Sequence, residues 1–234
     1  MAVLRKSTVL LILVVLIFSG SMVGFAADHE LALTAKQEQE VERGKQDTKE
    51  MLDHWNNTID VEEVKKMFDA QGRSFNLDMV SPQGSGSIGS KGDILVTLSG
   101  SSSGSSAWVG GHAGIVSEVP GKVVESFGNK GKSNNGVRHW PNNWKNRYKK
   151  VKALGVRKST GGDVTYAASY ARGKIGKPYN YNFWNVKTVN SFYCSQLVWR
   201  AYYNRGFDLN YNGGAVWPVD LIKSPLTAAY YSQG

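Results

Sequence analysis

Short apolar runs rich in β-branched residues occupy the middle of the chain and predict β-strands. Turns of glycine, proline and serine separate these runs, which is the pattern expected of strands joined by hairpins and loops. We expect strands over 94–98, 110–116, 123–127 and 151–157. Two serine- and glycine-rich stretches, 99–106 and 128–136, predict loops, and the second loop is expected to continue past His139.

Helical spacing of the apolar positions replaces this pattern on both sides of the strand region. Before it, Asp60 is a candidate N-cap, and Val64 and Phe68 lie on one face of a predicted helix. After it, we expect further helices capped by Asp163 or beginning at Cys194 and Pro218. Strands in the middle of the chain with helices on either side predict an α+β fold, in which an antiparallel sheet packs against helices.

Composition divides the chain into a leader, an extension, a linker and a main domain. Residues 1–27 have the basic start, apolar run and small residues of a signal peptide cleaved after Ala26 or Ala27. The alternative is an uncleaved membrane anchor, but the apolar run is shorter than the roughly 20 residues that span a bilayer. The helical N-terminal extension, the linker and the main domain are expected at 28–76, 77–90 and 91–234.

The charge of the mature chain narrows the choice of partners. Removing Arg5 and Lys6 with the signal peptide lowers the formal net charge from +9 to +7. A basic secreted protein suits polyanions, so anionic wall polymers are candidate partners, with ordinary surface charge as the alternative. We expect no nucleic-acid partner, because secretion separates the chain from nucleic acid and the sequence has no nucleic-acid motif. We also expect no stable membrane span after signal cleavage.

Cys194 is the only cysteine, so the chain cannot form an internal disulfide. A dimer link, a buried inert thiol and a reactive thiol are the three alternatives. Its predicted position at a helix start favours reactivity, because a helix N-terminus carries about half a positive charge and lowers a thiol pKa. Free backbone N–H groups at the same place can stabilise a developing oxyanion.

A thiol nucleophile needs a base and a polar group that orients the base. His112 follows glycines in a predicted strand and is the candidate base, with an ordinary core histidine as the alternative; His139 is interpreted as a surface histidine. If the hairpin turn is centred at Pro120–Gly121, paired residue numbers have an odd sum, and Glu125 shares a face of the sheet with His112. Glu125 could then orient the ring, whereas a single bulge would reverse the parity and leave it at a solvent-facing strand end.

The order of these motifs resembles a known family. A Gly-Asp-Ile strand is followed by His112-Ala-Gly-Ile-Val, by Glu125, by Gly-Lys-Pro-Tyr179 and by Tyr193-Cys-Ser-Gln-Leu-Val-Trp. Over roughly residues 88–226 the chain resembles the permuted, NlpC-type papain-like amidases and peptidases of the YiiX/YycO/YaeF branch. In ordinary papain-like enzymes the cysteine helix precedes the histidine strand, and here the histidine comes first. The resemblance implies a circularly permuted papain-like α+β fold, with the N-terminal helical extension outside it.

The resemblance also implies the roles of individual residues. Cys194 is the implied nucleophile, His112 the base and Glu125 the third polar member of the site, with a thioester intermediate that water hydrolyses. Substrate contacts are expected from Tyr193, Tyr179 and Ser195. No cofactor is implied, and the sequence has no metal-ligand spacing. Family members often carry glutamate where this chain has Gln196, a change expected to affect packing or substrate contact rather than the chemistry.

The sequence therefore predicts a secreted cysteine hydrolase of the bacterial cell envelope that cleaves amide bonds, first of all in cell-wall peptides. One alternative is a thiol acyltransferase or esterase acting on lipids or on small ester or amide substrates. It would need an apolar groove, and no segment after residue 27 is hydrophobic enough to suggest one. The other alternative is a non-catalytic wall-binding module, for which Cys194 would matter only to stability.

Overall fold

A six-stranded antiparallel sheet organises the chain in a computed structural model that describes residues 32–80 and 86–234. The strands are β1 (Ile94–Thr97), β2 (His112–Val116), β3 (Lys122–Phe127), β4 (Gly136–Pro141), β5 (Val151–Val156) and β6 (Thr227–Gln233). The helices are α1 (Ala35–Asp53), α2 (Val61–Ala70), α3 (Trp144–Arg147), α4 (Gly161–Arg172), α5 (Cys194–Tyr203) and α6 (Pro218–Lys223), with a 3-10 helix at Leu77–Val80. The predicted α+β class is confirmed. The predicted signal peptide, 1–27, and residues 81–85 of the predicted linker lie outside the described residues.

The strand order is β4-β3-β2-β1-β5-β6, and each neighbouring pair is antiparallel. Helices α4 and α5 pack on β2, and α2 packs on β5 and β6. Strand β1 is buried along its whole length, which explains its continuous Ile-Leu-Val-Thr sequence. Ile94 and Val96 belong to the hydrophobic layer that contains α5, and Leu95 belongs to the layer that contains α2. Alternate residues of one strand thus supply two layers of core.

Two edge strands depart from the sequence-based prediction. Strand β4 occupies the segment predicted as loop, so His139 stands on a strand, with its Nε2 2.9 Å from Oγ of Ser117. Strand β6 follows the last predicted helix and pairs with β5, with a register shift between Ala153 and Leu154. An edge strand pairs on one side only, so mixed sequences such as Gly-Val-Arg-His-Trp-Pro can form it without a clear apolar alternation.

Side chains that accept backbone hydrogen bonds set the helix starts. Asp60 caps α2 as predicted, and its Oδ1 accepts the N–H three residues further on at 3.0 Å. The prediction that Asp163 caps α4 is wrong. Thr160 is the N-cap, and Asp163 is its capping-box partner at the third helical position, where its Oδ2 accepts the N–H of Thr160 at 2.9 Å. Helix α5 begins at Cys194, as predicted.

The β2–β3 hairpin has the predicted parity. Gly114 lies opposite Glu125, so paired residue numbers have an odd sum, although the turn is centred one residue earlier than predicted. His112 stands two residues before Gly114 and therefore lies on the same face of the sheet as Glu125.

Asp93 connects the predicted extension to the sheet. Its carboxylate accepts the backbone N–H of Ser90 at 2.7 Å in the turn before β1. Both of its oxygens also accept bonds from Arg73, at 2.6 and 2.8 Å, and Oδ2 accepts the hydroxyl of Tyr230. A fully buried carboxylate needs such partners. These bonds fasten the segment after α2 to β1 and β6, and the chain from Ala32 onward forms one compact unit.

Helix α1 packs closely on the segments that precede β2 and α6. A Cβ atom added at Gly44 would lie 2.9 Å from side-chain atoms of both Trp217 and Val109. One turn earlier, Glu40 accepts a hydrogen bond from Nε1 of Trp184 at 2.7 Å. The missing side chain at position 44 therefore allows α1 to lie directly against Trp217.

We expect Gly44→Val to lower the free energy of unfolding by about 2 kcal/mol, because overpacking a tight contact costs about 1–3 kcal/mol. Replacing a glycine inside a helix stabilises the helix by less than about 1 kcal/mol, so the destabilising clash is the larger effect. Urea unfolding measures the change. The control is Gln39→Val at an exposed position of α1, with an expected change within about 0.5 kcal/mol. Equal unfolding midpoints for the two variants would contradict the role given to Gly44.

Candidate active site

Cys194 is the first residue of α5, and none of it is exposed to solvent. Gln196 holds this helix start, because its Oε1 accepts the N–H of Tyr193 at 3.2 Å and the side-chain amide of Asn180 at 3.0 Å. Nε2 of Gln196 donates to carbonyl oxygens of the preceding loop, those of Asn185, Val186 and Thr188. The amide uses its donor and acceptor ends together, which a carboxylate could not do. Gln196 is therefore used in packing the loop against α5.

His112 and Glu125 form a short buried hydrogen bond. Nε2 of His112 lies 2.6 Å from Oε2 of Glu125, and the two residues are 2% and 0% exposed. Gly114 lies between them on the shared face, and a Cβ atom there would lie 2.9 Å from Cγ of Glu125. The glycine therefore leaves room for the carboxylate to reach the ring diagonally across the two strands.

Helix α3 completes the surroundings of the histidine. Oε1 of Glu125 accepts hydrogen bonds from Nη2 of Arg147 at 2.6 Å and from Nε1 of Trp144 at 3.2 Å. The ring of His112 stacks on Phe127 at a centroid distance of 4.1 Å and on Trp144 at 5.5 Å. A hydrogen bond at one nitrogen and aromatic contacts on the ring fix the orientation of the imidazole and leave Nδ1 for another partner.

The thiol of Cys194 lies beside the imidazole of His112. Nδ1 of His112 has no well-directed hydrogen bond among the described residues, yet the two groups lie close enough to shift each other's pKa. Burial opposes the charged form of each group. Interactions with Cys194 and Glu125 outweigh burial and raise the pKa of His112, and interactions with His112 and Ser102 likewise lower the pKa of Cys194. The arrangement favours a thiolate–imidazolium pair.

A serine from the loop after β1 covers the sulfur. Oγ of Ser102 lies 3.3 Å from Sγ of Cys194 and donates to the carbonyl of Gly111 at 3.1 Å. The N–H of Gly128 donates to the carbonyl of Ser102 at 2.8 Å. Ser102, Cys194 and His112 are each at most 2% exposed, so the sulfur is enclosed by the protein.

The three side chains predicted to contact substrate differ in whether the protein already hydrogen-bonds their hydroxyl groups. The hydroxyl of Tyr193 donates to a backbone carbonyl at 3.0 Å and accepts the N–H of Val216 at 2.9 Å, and Oγ of Ser195 donates to the carbonyl of Val216 at 2.7 Å. The protein itself uses the hydroxyl groups of both side chains, and their contact with substrate stays a prediction. The hydroxyl of Tyr179 is buried and makes no hydrogen bond of acceptable distance and angle among the described residues, although Ser103 lies close enough to affect its pKa. Burial and the nearby Cys194 raise the pKa of Tyr179, so its hydroxyl stays protonated and can donate.

Other predicted features lie away from this cluster. His139, the second histidine of the main domain, bonds Ser117 and is not brought to Cys194. Within residues 32–80 and 86–234, no group of three or more His, Cys, Asp or Glu side chains is arranged to hold a metal ion. In the same part of the chain, no helix combines the length and apolar character needed to cross a membrane.

An antiparallel sheet, a cysteine at a helix start and a histidine strand earlier in the chain define the class of papain-like folds in permuted order. The family described as permuted papain-like amidase enzymes, YaeF/YiiX, C92, matches residues 90–210, and the chain belongs to this family. The chain is 33% identical over 124 residues to the uncharacterized protein YycO of Bacillus subtilis (strain 168). That alignment covers 50% of this chain and 47% of the relative, so the chain spans about half the length of YycO. No solved structure matches the chain.

Four residues of the site have no role in the sequence-based prediction: Ser102, Phe127, Trp144 and Arg147. The serine lies in a run of serines and glycines whose composition indicates only a loop. Helix α3 has four residues, too few for an apolar period to be recognised. The available signal was the Trp-Lys-Asn-Arg sequence, since residues three apart lie on one face of a helical turn.

We expect iodoacetamide to alkylate Cys194 rapidly at pH values below the ordinary thiol pKa of about 8.5, because the lowered pKa leaves thiolate present there. The rate should fall only as the pH drops through that lowered pKa. His112→Ala removes a cause of the lowering, so its inflection should move to higher pH. Mass spectrometry follows the reaction without ambiguity because the chain has one cysteine. A wild-type inflection at or above that of glutathione would contradict the thiolate–imidazolium pair.

Proposed function

We propose that the protein is a secreted cysteine hydrolase that cleaves amide bonds, with cell-wall peptides as the principal substrate. The observation that carries the proposal is the buried cluster in which Cys194 adjoins His112 and His112 bonds Glu125 at 2.6 Å. Membership of the permuted papain-like amidase family supports amide bonds as the target. The proposals of secretion and of a wall substrate rest on the signal-peptide pattern of residues 1–27 and on the basic net charge.

The proposed chemistry is acyl transfer through a thioester. The thiolate of Cys194 attacks the carbonyl carbon, and His112 gives its proton to the leaving amine as the C–N bond breaks. Water then attacks the thioester carbonyl while His112 takes one of its protons. The C–S bond breaks, which releases a carboxylic acid and restores the thiolate of Cys194 beside the protonated His112. Glu125 keeps the ring oriented and balances the charge of the imidazolium. Tyr179 supplies a buried hydroxyl that can donate to the substrate.

Purified peptidoglycan is expected to gain new amine termini when incubated with the chain that follows residue 27. Cys194→Ala should produce none, and His112→Ala should slow the reaction by about 100-fold or more, because general acid–base catalysis is removed. The matched control is His139→Ala, which alters a histidine outside the cluster and should keep full activity. Amine labelling and mass spectrometry of the released fragments measure the outcome.

The results that would contradict this proposal separate the alternatives. A wild-type protein that releases no amine termini is not a wall peptidase or amidase. If the wild-type protein nevertheless cleaved lipid or small ester substrates, and Cys194→Ala did not, the acyltransferase or esterase hypothesis would replace the wall-hydrolase proposal. Undiminished wall binding by Cys194→Ala, with no turnover by either protein, would indicate a binding module.

Charge segregation along the chain supports the proposal of an anionic wall polymer as a partner. Between Glu125 and Asp208 the sequence has sixteen lysines and arginines and a single acidic residue, Asp163, which pairs with Arg205. Part of this charge lies together, because the N–H of Val137 bonds the carbonyl of Lys177 at 2.9 Å and joins β4 to the segment after α4. Five cations of these two segments and the β3–β4 loop form no ion pair within the described residues: Lys130, Lys132, Arg138, Lys174 and Lys177.

Replacing Lys130, Lys132, Lys174 and Lys177 with glutamine is expected to weaken binding to phosphate-bearing cell walls by about tenfold or more at low salt. The difference from wild type should shrink as salt screens the charges. The control replaces four lysines of α1 and α2, Lys45, Lys49, Lys65 and Lys66, which gives the same change of net charge. Co-sedimentation with walls measures binding. Equal losses in the two variants would show that net charge, and not this surface, is responsible.

A further inference from the structure

Ser102 places a hydroxyl next to the reacting sulfur, in a loop that the structure holds firmly. Its Oγ lies 3.3 Å from Sγ of Cys194, and the residue is fully buried. The N–H of Gly111 bonds the carbonyl of Gly100 at 2.8 Å, and the N–H of Gly128 bonds the carbonyl of Ser102 at 2.8 Å. Asn129 adds a side-chain bond to the carbonyl of Ser101 at 2.9 Å. The hydroxyl is therefore positioned in advance of any substrate.

The hydroxyl can also change partner without leaving a buried group unpaired. A serine has one proton to donate, and in the resting site two acceptors lie within its reach, the carbonyl of Gly111 at 3.1 Å and Sγ of Cys194 at 3.3 Å. The same carbonyl accepts a second hydrogen bond, from Nε1 of Trp108 at 3.2 Å. When the hydroxyl of Ser102 turns away, Trp108 still satisfies Gly111. Rotation of the Ser102 hydroxyl thus avoids the cost of an unpaired carbonyl.

We propose that Ser102 is a catalytic residue whose hydroxyl donates to the oxyanion formed when Cys194 attacks a carbonyl, alongside the backbone N–H of Cys194. This inference rests on the proposed acyl-transfer function. In the step, Sγ forms a bond to the carbonyl carbon, and the C=O π electrons move to oxygen. Negative charge thus passes from sulfur to an atom two bonds away, and the Ser102 proton follows it while staying on its own oxygen. When the tetrahedral intermediate collapses, C=O re-forms and the leaving group departs.

Two reagents separate this role from others. Acylation by p-nitrophenyl acetate passes through an oxyanion, whereas alkylation by iodoacetamide displaces iodide directly and forms none. At a pH where the thiolate is fully formed, we expect Ser102→Ala to slow acylation by about 100-fold and to leave alkylation unchanged, since loss of one oxyanion donor costs about 10²–10³ in rate. Ser99→Ala, in the same loop, should change neither rate. Alkylation of Ser102→Ala at the wild-type rate also shows that the site is folded. If the alanine variant does not fold, Ser102→Gly serves as a second variant.

Other outcomes would overturn the inference. Equal slowing of both reactions would mean that the hydroxyl acts on the thiolate or on folding, and acceleration of both would mean that Ser102 only blocks access. Slow acylation in Tyr179→Phe, with normal acylation in Ser102→Ala, would assign the donor to Tyr179. A wild-type protein that releases p-nitrophenolate no faster than Cys194→Ala would remove the proposed hydrolase function itself, and the inference with it.

Discussion

Glu125 places a carboxylate in the interior of the protein, and the rest of the site is arranged around this charge. Moving such a group out of water costs several kcal/mol unless it is paired and hydrogen-bonded. Here one oxygen bonds the ring of His112 at 2.6 Å, and the other accepts Arg147 at 2.6 Å and Trp144 at 3.2 Å. Because these partners lie on β2 and α3, the hydrogen bonds that one buried carboxylate needs hold two separate elements in place. The positions of His112 and of α3 are therefore consequences of the same constraint.

The same constraint sets the charge state of the sulfur. Burial by itself favours a neutral thiol and a neutral imidazole, so a fully enclosed Cys194 would be inert without opposing interactions. Glu125 stabilises the protonated ring of His112, and the protonated ring stabilises the thiolate, so the pKa of His112 is raised and that of Cys194 is lowered. Enclosure then strengthens the attraction within the pair, because water is excluded from between the charges. Reactivity and burial are compatible here only because the carboxylate is present.

The central part of the site follows from the sequence because strand geometry is periodic. A turn centred one residue away from its predicted place leaves the sum of paired residue numbers odd, so His112 and Glu125 stay on one face. The edge strands β4 and β6 were harder to predict, since a single pairing partner permits mixed sequences. Ser102 and Arg147 could not be predicted at all. Their roles depend on where a loop and a four-residue helix fold back in space, and no local pattern encodes that distance.

Close packing around two glycines, in addition to the identity of the polar side chains, determines the geometry on both sides of His112. Gly111 has a φ of +77°, and a Cβ atom there would lie 2.6 Å from the carbonyl of Thr97. Only glycine therefore allows the loop that carries Ser102 to pack against β2. Gly114, on the other side, leaves the path along which Glu125 reaches the ring. The two glycines admit different groups, a hydroxyl towards the sulfur and a carboxylate towards the imidazole. The Gly-His-Ala-Gly sequence thus allows the nucleophile, the base and the orienting group to come together. The polar residues of the triad are not sufficient by themselves, because the two glycines provide the space in which they meet.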